Sequence, residues 1–194
     1  MIAIIDYNAG NIASVKNAIE RLGFECEITS DPEKILRAEK VIFPGQGRAG
    51  SSMKQLREKG LDEVIKEIKA PFLGICLGMQ LLADFCEEDS TEGLSIIKGD
   101  VVKFPPNLKA PQIGWNKVFF TKKSPLTEGI EDGDYFYFVN SYYFKPDINS
   151  EIAYTNYGFP FTSMVNKNNF YGVQFHPEKS GKAGEKMLNN FLNL

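Results

Sequence analysis

Two short segments carry residue types that together can perform nucleophilic catalysis. The first, GICLGMQ, places Gly74-x-Cys76-x-Gly78 between a predicted strand and a predicted helix. This is the cysteine form of the nucleophile elbow, in which a sharp turn points the nucleophile outward and small flanking residues let the backbone close up. The first amides of the following helix favour the attacking thiolate, and the amide of Leu77 is placed to stabilise an oxyanion. Taken alone, the motif is also compatible with a buried structural cysteine.

The second segment is His176-Pro177-Glu178, which follows the apolar run YGVQF. His176 is the only histidine, so zinc sites built from several histidines are excluded and any histidine-dependent catalysis must use this residue. Residues two apart on an extended chain project to the same side, and Pro177 favours an extended residue before it. Glu178 can then orient the imidazole, as the third member of a catalytic triad does. A lone histidine at a strand end is often structural, but together these residues favour a Cys76, His176 and Glu178 triad.

A third segment, residues 45–50, matches the pattern G-x-G-x-x-G after a predicted strand. A dinucleotide site would need an acidic residue about 20 positions on, at the end of the next strand. That strand ends instead in Gly74-Ile75-Cys76, so we reject this interpretation. We expect the backbone amides of Gly45, Gln46 and Gly47 to approach Cys76 and complete an oxyanion hole with Leu77. An ordinary glycine turn is the alternative.

The elements around these segments alternate between strand and helix in the first half of the chain. Apolar spacing predicts strands at residues 1–5, 24–28, 41–43 and 71–75. Helices are expected after Asn11, which can cap the first one, after Asp31-Pro32, over residues 53–68 with a break at Gly60, and over residues 77–86. Such alternation implies a parallel sheet covered on both faces. Ligands bind beyond the carboxyl ends of such strands, which points to the loops after Phe43 and Ile75.

The second half is predicted to be mainly β-structure. Strands are expected at residues 101–104, 117–120, 135–139, 152–155, 161–165 and 170–175, before a final helix that carries Ala183, Met187, Leu188 and Phe191. We therefore predict an α/β fold: a mostly parallel open sheet with helices on both faces plus an antiparallel extension, in one domain over residues 1–194.

Composition excludes several function classes. The 194 residues are 43% hydrophobic and 24% charged, with a formal net charge of −3, which is typical of a globular chain. The mildly acidic balance argues against nucleic acid or an anionic membrane as partner. No apolar run approaches the roughly 20 residues of a membrane span, and the N-terminus is not typical of a signal peptide. Three cysteines without framework spacing favour a reducing compartment, so we expect a cytoplasmic protein in which Cys26 and Cys86 are structural.

The motifs G-x-C-x-G-x-Q and H-P-E together resemble the class I (triad) glutamine amidotransferases. Narrower segments resemble the glutaminase subunits of imidazole glycerol phosphate synthases, which act in histidine biosynthesis. These segments are IDYNAGNIASV, FPGQGRAG, PQIGWN, YFYFVNSYY and YGVQFHPEKS. The resemblance covers essentially the whole chain.

This resemblance implies that Cys76 attacks the side-chain amide of glutamine and forms a glutamyl thioester. His176 would protonate the leaving ammonia and then activate water, with Glu178 orienting it. Gln80, Ser141 and Tyr142 match positions near the bound glutamine. No cofactor or metal is implied. The implied partner is a (β/α)8-barrel cyclase that receives the ammonia, and the glutaminase is weak until that partner binds its nucleotide substrate.

Two positions depart from the family pattern, since Gln112 and Asn140 stand where histidine is common. Amides can replace hydrogen bonds but cannot be protonated, so these positions bear on which acceptor receives the ammonia. One alternative is therefore a glutaminase that supplies another acceptor, such as a sugar-modifying synthase. A second alternative is a non-catalytic elbow-cysteine protein that binds a ligand or senses redox state.

Overall fold

The computed structural model describes residues 1–8 and 12–194, in which the chain forms fourteen strands and six α-helices. The predicted cap at Asn11 lies outside the described residues. The strands are β1 (Ile2–Ile5), β2 (Cys26–Thr29), β3 (Lys40–Gly45), β4 (Phe72–Cys76), β5 (Phe85–Cys86), β6 (Thr91–Glu92), β7 (Gly99–Lys103), β8 (Gln112–Lys117), β9 (Phe119–Phe120), β10 (Tyr135–Asn140), β11 (Tyr142–Pro146), β12 (Glu151–Asn156), β13 (Pro160–Lys167) and β14 (Phe170–Val173). The helices are α1 (Ile12–Arg21), α2 (Pro32–Leu36), α3 (Ala49–Glu58), α4 (Leu61–Glu67), α5 (Leu77–Gln80) and α6 (Gly181–Leu192).

The main sheet is parallel on one side and mostly antiparallel on the other. Its order runs β2-β1-β3-β4-β14-β13-β11-β7-β5-β6, and all pairs from β2 to β14 are parallel. Gly45 pairs with Cys76, and Val173 pairs with Ile75. The carboxyl ends of β3, β4 and β14 therefore meet at one edge, which confirms the predicted fold class.

Alternating side chains of the parallel strands build an apolar core on each face. Ala3 and Ile5 join the core formed with side chains of α2 to α5, whereas Ile2 and Ile4 join the core formed with α1 and α6. Burial of this apolar surface is the dominant force that stabilises such a layered sheet.

A two-stranded ribbon, β8 paired antiparallel with β10, packs against the face that carries α1 and α6. Its inward side chains include Phe136 and Phe138, which are fully buried. Its outward side chains include Ile113, Trp115 and Tyr135, which are more than half exposed. The ribbon thus places a buried aromatic layer on one side and an exposed apolar surface on the other.

The predicted helix over residues 77–86 is wrong, because α5 ends at Gln80 and Phe85–Cys86 forms a strand. The backbone oxygens of Leu81, Leu82 and Ala83 accept hydrogen bonds from the segment 94–97 instead of continuing the helix. An apolar run can be buried in a helix or in a turn, and only tertiary hydrogen bonding decides between them.

Three further differences concern the second half. The predicted strand over residues 117–120 is split, because the chain leaves β10 at Lys117 and pairs with β12 from Phe119. The predicted strand over residues 170–175 ends at Val173. Strands β8 and β11 were not predicted, since β8 has only two alternating apolar residues, Ile113 and Trp115, and β11 has no apolar alternation.

Candidate active site

Cys76 lies at a strained turn between β4 and α5. Its backbone has φ 55° and ψ −111°, a combination that costs free energy for any residue other than glycine. The neighbouring glycines make the turn possible: a Cβ on Gly78 would lie 1.9 Å from the carbonyl oxygen of Phe43, and one on Gly74 would lie 2.7 Å from that of Gly78. The backbone therefore adopts the elbow expected from the motif.

The sulfur of Cys76 is enclosed by the protein. Cys76 is only 8% exposed, its Sγ lies 3.7 Å from the carbonyl oxygen of Val139, and Gln174 Nε2 donates to it at 3.6 Å. Because α5 is a single turn, it supplies only the amides of that turn and not the field of a long helix. The stabilisation of the Cys76 thiolate that we expected from a helix over residues 77–86 is therefore reduced.

His176 and Glu178 form a buried pair. His176 Nδ1 lies 2.8 Å from Glu178 Oε1, and their side chains are 3% and 1% exposed. The predicted contact is present, but not for the predicted reason: Glu178 belongs to the 3-10 turn Pro177–Lys179 rather than to an extended segment. Ser180 Oγ closes this turn by donating to the carbonyl oxygen of His176 at 2.6 Å.

The environment of His176 favours its charged form. Burial lowers the pKa of His176, but the interactions with Cys76 and then with Glu178 outweigh burial and raise it from 6.5 to about 10. Nε2 is buried and has no atom of the described residues in hydrogen-bond geometry, although the imidazole is close enough to Cys76 for the two side chains to interact. At neutral pH the surroundings of His176 therefore favour the imidazolium form.

The predicted oxyanion loop lies directly against this turn. Gly45 ends β3, and a Cβ there would lie 2.4 Å from the amide nitrogen of Gly78 and 2.7 Å from Leu77 Cβ. Gln46 and Gly47 are exposed, and Gly47 has φ +120°. Gly45 and Leu77 are therefore in contact, while Gln46 and Gly47 lie at the rim.

Two interactions attach this loop to the acidic 3-10 turn Glu88–Ser90. Glu88 Oε2 accepts a hydrogen bond from the amide of Ala49 at 2.8 Å, and Arg48 Nε donates to Asp89 Oδ2 at 3.1 Å. The Arg48 guanidinium is also the largest influence that lowers the pKa of Asp89. No local pattern predicts these contacts, because their partners are about 40 residues apart in the chain.

A cavity of about 210 Å³ opens beside Cys76. This is below the roughly 300–1,000 Å³ of pockets for drug-sized ligands, so it suits a small metabolite. His176 and Glu178 border a smaller cavity next to it, together with Gly45 and Gln46. The first cavity is lined by Gly45, Gln46, Gly47, Cys76, Leu77, Gln80, Glu88, Pro111, Val139, Asn140, Ser141 and Tyr142. Every predicted site residue therefore borders one of these two cavities.

Gln80 lies in the cavity wall, but its amide is already engaged. Its Nε2 donates to the carbonyl oxygen of Tyr142 at 3.1 Å and to Gln174 Oε1 at 2.8 Å. Gln174 is fully buried and contacts the sulfur, and sequence reasoning missed it. Gln174 could have been found in the sequence as the polar residue within the otherwise apolar run YGVQF.

The two amides that depart from the family pattern face each other across the ribbon. Gln112 pairs with Asn140 in the β8–β10 register, and both side chains are buried. Asn140 Nδ2 donates to the carbonyl oxygen of Tyr142 at 2.9 Å. Asn140 Oδ1 and both polar atoms of the Gln112 side chain make no hydrogen bond with the described residues. Buried polar atoms of this kind are costly unless a ligand or water satisfies them.

Residues 1–8 and 12–194 contain neither a cluster of metal-ligating side chains nor a membrane-spanning helix. No group of three or more His, Cys, Asp or Glu side chains there could hold a metal ion. No helix in the same ranges is long and apolar enough to cross a membrane.

A strained cysteine turn, a buried His–Glu pair and a loop of backbone amides at the carboxyl edge of a parallel sheet define a class of hydrolase site. Residues 3–194 match the family described as glutamine amidotransferase class-I, and the chain belongs to that family.

Individual relatives are similar over the whole chain. The Methanococcus maripaludis protein named imidazole glycerol phosphate synthase subunit HisH 1 is 51% identical, with 100% of both chains covered. The Dehalococcoides mccartyi protein named imidazole glycerol phosphate synthase subunit HisH is 50% identical, with 100% of this chain and 97% of the relative covered.

Solved structures show the same fold at lower identity. A putative GMP synthase protein from Thermoplasma acidophilum is 20% identical and superimposes with a TM-score of 0.76, covering 99% of this chain and 92% of the other. PurLQS from Thermotoga maritima is 17% identical with a TM-score of 0.73, covering 99% of this chain and 97% of the other.

Proposed function

We propose that this chain is the glutaminase subunit of an imidazole glycerol phosphate synthase and that residues 1–194 act as one domain. It hydrolyses glutamine to glutamate and ammonia and passes the ammonia to a synthase partner. The observation that carries the proposal is the buried His176–Glu178 pair beside the strained Cys76. Relatives about half identical over their whole length bear the name of that subunit. A cytoplasmic location, favoured by three free cysteines, belongs to the same proposal.

The proposed reaction uses each group in turn. The Cys76 thiolate attacks the side-chain carbonyl carbon of glutamine, and the amides of Leu77 and the Gly45–Gly47 loop stabilise the oxyanion. Imidazolium at His176 protonates the departing nitrogen, which leaves a glutamyl thioester and ammonia. The neutral imidazole then takes a proton from water, which attacks the thioester and releases glutamate. Glu178 holds the imidazole and stabilises its charged form.

Substitution of the triad tests the proposal directly. Cys76→Ser and His176→Ala should abolish ammonia release from glutamine, measured in the presence of the barrel partner with its nucleotide substrate bound. Glu178→Gln should retain part of the activity, because an orienting group contributes less than a nucleophile. Cys26→Ser is the matched control, since it makes the same chemical change at a residue outside the site. Near-normal hydrolysis by either of the first two variants would refute the assigned roles.

We also propose that a (β/α)8-barrel cyclase docks on the outward face of the β8–β10 ribbon. Ile113, Trp115 and Tyr135 expose more than half of their surface there, which is unusual for large apolar side chains grouped together. The ribbon adjoins the site, because the amide of His176 donates to the carbonyl oxygen of Tyr137 at 2.9 Å. A partner docked there would lie next to the site and could receive ammonia without its release to solvent.

Charged substitutions test this docking face. Ile113→Asp should weaken binding to the barrel partner by at least tenfold in calorimetry or gel filtration. Ile148→Asp is the control, since Ile148 is even more exposed but lies outside the ribbon. Equal effects of the two substitutions would exclude the ribbon as the docking face.

Gln112 and Asn140 favour one specific alternative, in which the ammonia goes to a different acceptor. Asn140 lines the cavity beside Cys76, and Gln112 pairs with it across the ribbon. Both carry buried amide atoms that make no hydrogen bond with the described residues, at positions where the family commonly has histidine. Ammonia transfer assayed with an imidazole glycerol phosphate synthase barrel and with a sugar-modifying synthase would separate the two acceptors. A protein that only binds a ligand or senses redox state would release no ammonia with either partner.

A further inference from the structure

A chain of amide hydrogen bonds leads from a backbone carbonyl to the sulfur of Cys76. Gln80 Nε2 donates to the carbonyl oxygen of Tyr142 at 3.1 Å and to Gln174 Oε1 at 2.8 Å. Gln174 Nε2 in turn donates to Cys76 Sγ at 3.6 Å. Gln174 is fully buried and Gln80 is 6% exposed, so water does not compete freely for these bonds.

The first link determines the orientation of the others. A backbone carbonyl can only accept hydrogen bonds, so Gln80 must present its NH₂ group to Tyr142. The same NH₂ group faces Gln174, which must therefore present its oxygen to Gln80. The NH₂ group of Gln174 is then left facing the sulfur. Reversal of either amide would bring two acceptors or two donors together at a buried position, which is costly.

We propose that Gln174 stabilises the Cys76 thiolate by donating a hydrogen bond to it, and that Gln80 is the positioning residue that holds the Gln174 amide in the donating orientation. This inference rests on the proposed function only in taking Cys76 as the nucleophile. In this network the side-chain nitrogen of Gln80 is engaged inside the protein, while Gln80 also lines the cavity beside Cys76.

The other neighbours of the sulfur show why such a donor is needed. The carbonyl oxygen of Val139, at 3.7 Å, can accept the proton of a thiol but offers nothing favourable to a thiolate. The titratable groups around the sulfur are His176 with Glu178 behind it, Tyr7 from the end of β1, and Glu88 across the cavity. Only imidazolium among these is positive, so a neutral donor fixed at the sulfur adds to the stability of the anion.

The test is the pH dependence of Cys76 alkylation by iodoacetamide in the isolated chain, followed by mass spectrometry on a Cys26→Ser background. Gln174→Met removes the donor while filling similar space, and Gln174→Glu places an acceptor at the same point. Both should move the midpoint of the alkylation profile up by about one pH unit, which is a tenfold loss of thiolate below the midpoint. Gln80→Met should move it in the same direction by less, because the Gln174 amide can then rotate.

Ser163→Ala is the matched control for loss of a buried polar group. Ser163 is fully buried and lies on β13 beside Gln174, but its hydroxyl makes no hydrogen bond with the described residues. Its profile should coincide with that of the parent chain. An unchanged midpoint in Gln174→Met would overturn the proposal even if Gln174→Glu shifts, because the added carboxylate alone would then explain the shift.

Failure of this inference and failure of the proposed function give different results. Alkylation needs no glutamine and no partner, so a shifted midpoint supports the thiolate donor whether or not ammonia is released. Normal glutamine hydrolysis with an unshifted midpoint in Gln174→Met would leave the glutaminase proposal intact and refute the role of Gln174 as a donor to the thiolate.

Discussion

The protonation of His176 offers the sharpest physical test of the site. Burial lowers its pKa, and the contacts with Cys76 and Glu178 raise it, with a net result of about 10 against an ordinary value of 6.5. At 1.36 kcal/mol per unit, this difference corresponds to roughly 5 kcal/mol in favour of imidazolium. Among the interactions that raise the pKa, the one with Cys76 is larger than the one with Glu178. Removal of the thiol should therefore lower the pKa more than removal of the carboxylate charge.

The measurement is straightforward because the chain has one histidine. The ring signals of His176 in a tag-free sample can be followed by NMR from about pH 5 to about pH 10.5 without assignment, a range that spans the ordinary and the raised pKa. We expect the midpoint to fall in the order wild type, Glu178→Gln, Cys76→Ala. A wild-type midpoint near 6.5, or a value in Cys76→Ala equal to that of the wild type, would refute the ion-pair reasoning.

The same pKa makes a prediction about stability. A histidine whose pKa is raised by folding stabilises the folded state fully below pH 6.5, and this contribution is lost as the pH rises through about 10. The free energy of unfolding in urea should therefore decrease between about pH 7 and about pH 10. The decrease should be smaller in Cys76→Ala, because less of the interaction is present to be lost.

Three further predictions concern the elements that hold the site. Gly78→Ala should lower the free energy of unfolding in urea by about 2–3 kcal/mol or more, since its Cβ would lie 1.9 Å from a backbone oxygen of β3. Gly23→Ala is the control: Gly23 has φ +85° and open space around it, so the free energy of unfolding should fall by only about 1–2 kcal/mol. An electrophilic glutamine analogue should label Cys76 before Cys86, whose pKa is raised to about 12 by burial, and equal labelling would contradict this. Ser180→Ala should lower the free energy of unfolding by about 1–3 kcal/mol and reduce ammonia release, because Ser180 Oγ donates to the carbonyl oxygen of His176 and accepts from the amide of Tyr137. Unchanged activity would show that other contacts hold the turn.

Local patterns were sufficient for the parallel half of the fold and for the elements that carry the three residues of the predicted triad. The alternation of apolar strands and amphipathic helices predicted β1 to β4, because each element must bury one face. The elbow at Cys76 and the pair at His176 and Glu178 could be predicted because each depends on neighbours within a few residues. The family resemblance added the expected reaction and the substrate contacts.

Long-range hydrogen bonding decided what the patterns could not. The apolar run after Gln80 ends its helix because backbone groups from the segment 94–97 pair with it, and the Glu178 carboxylate reaches His176 through a turn rather than a strand. The contact of Gln174 with the sulfur joins residues 98 positions apart.

Residue types and short spacings in the sequence thus determined which groups could react and on which class of sheet they stand. Only the tertiary structure decided which buried amides support them, since a hydrogen bond between distant strands depends on the register of the whole sheet. No local preference of either partner encodes that register.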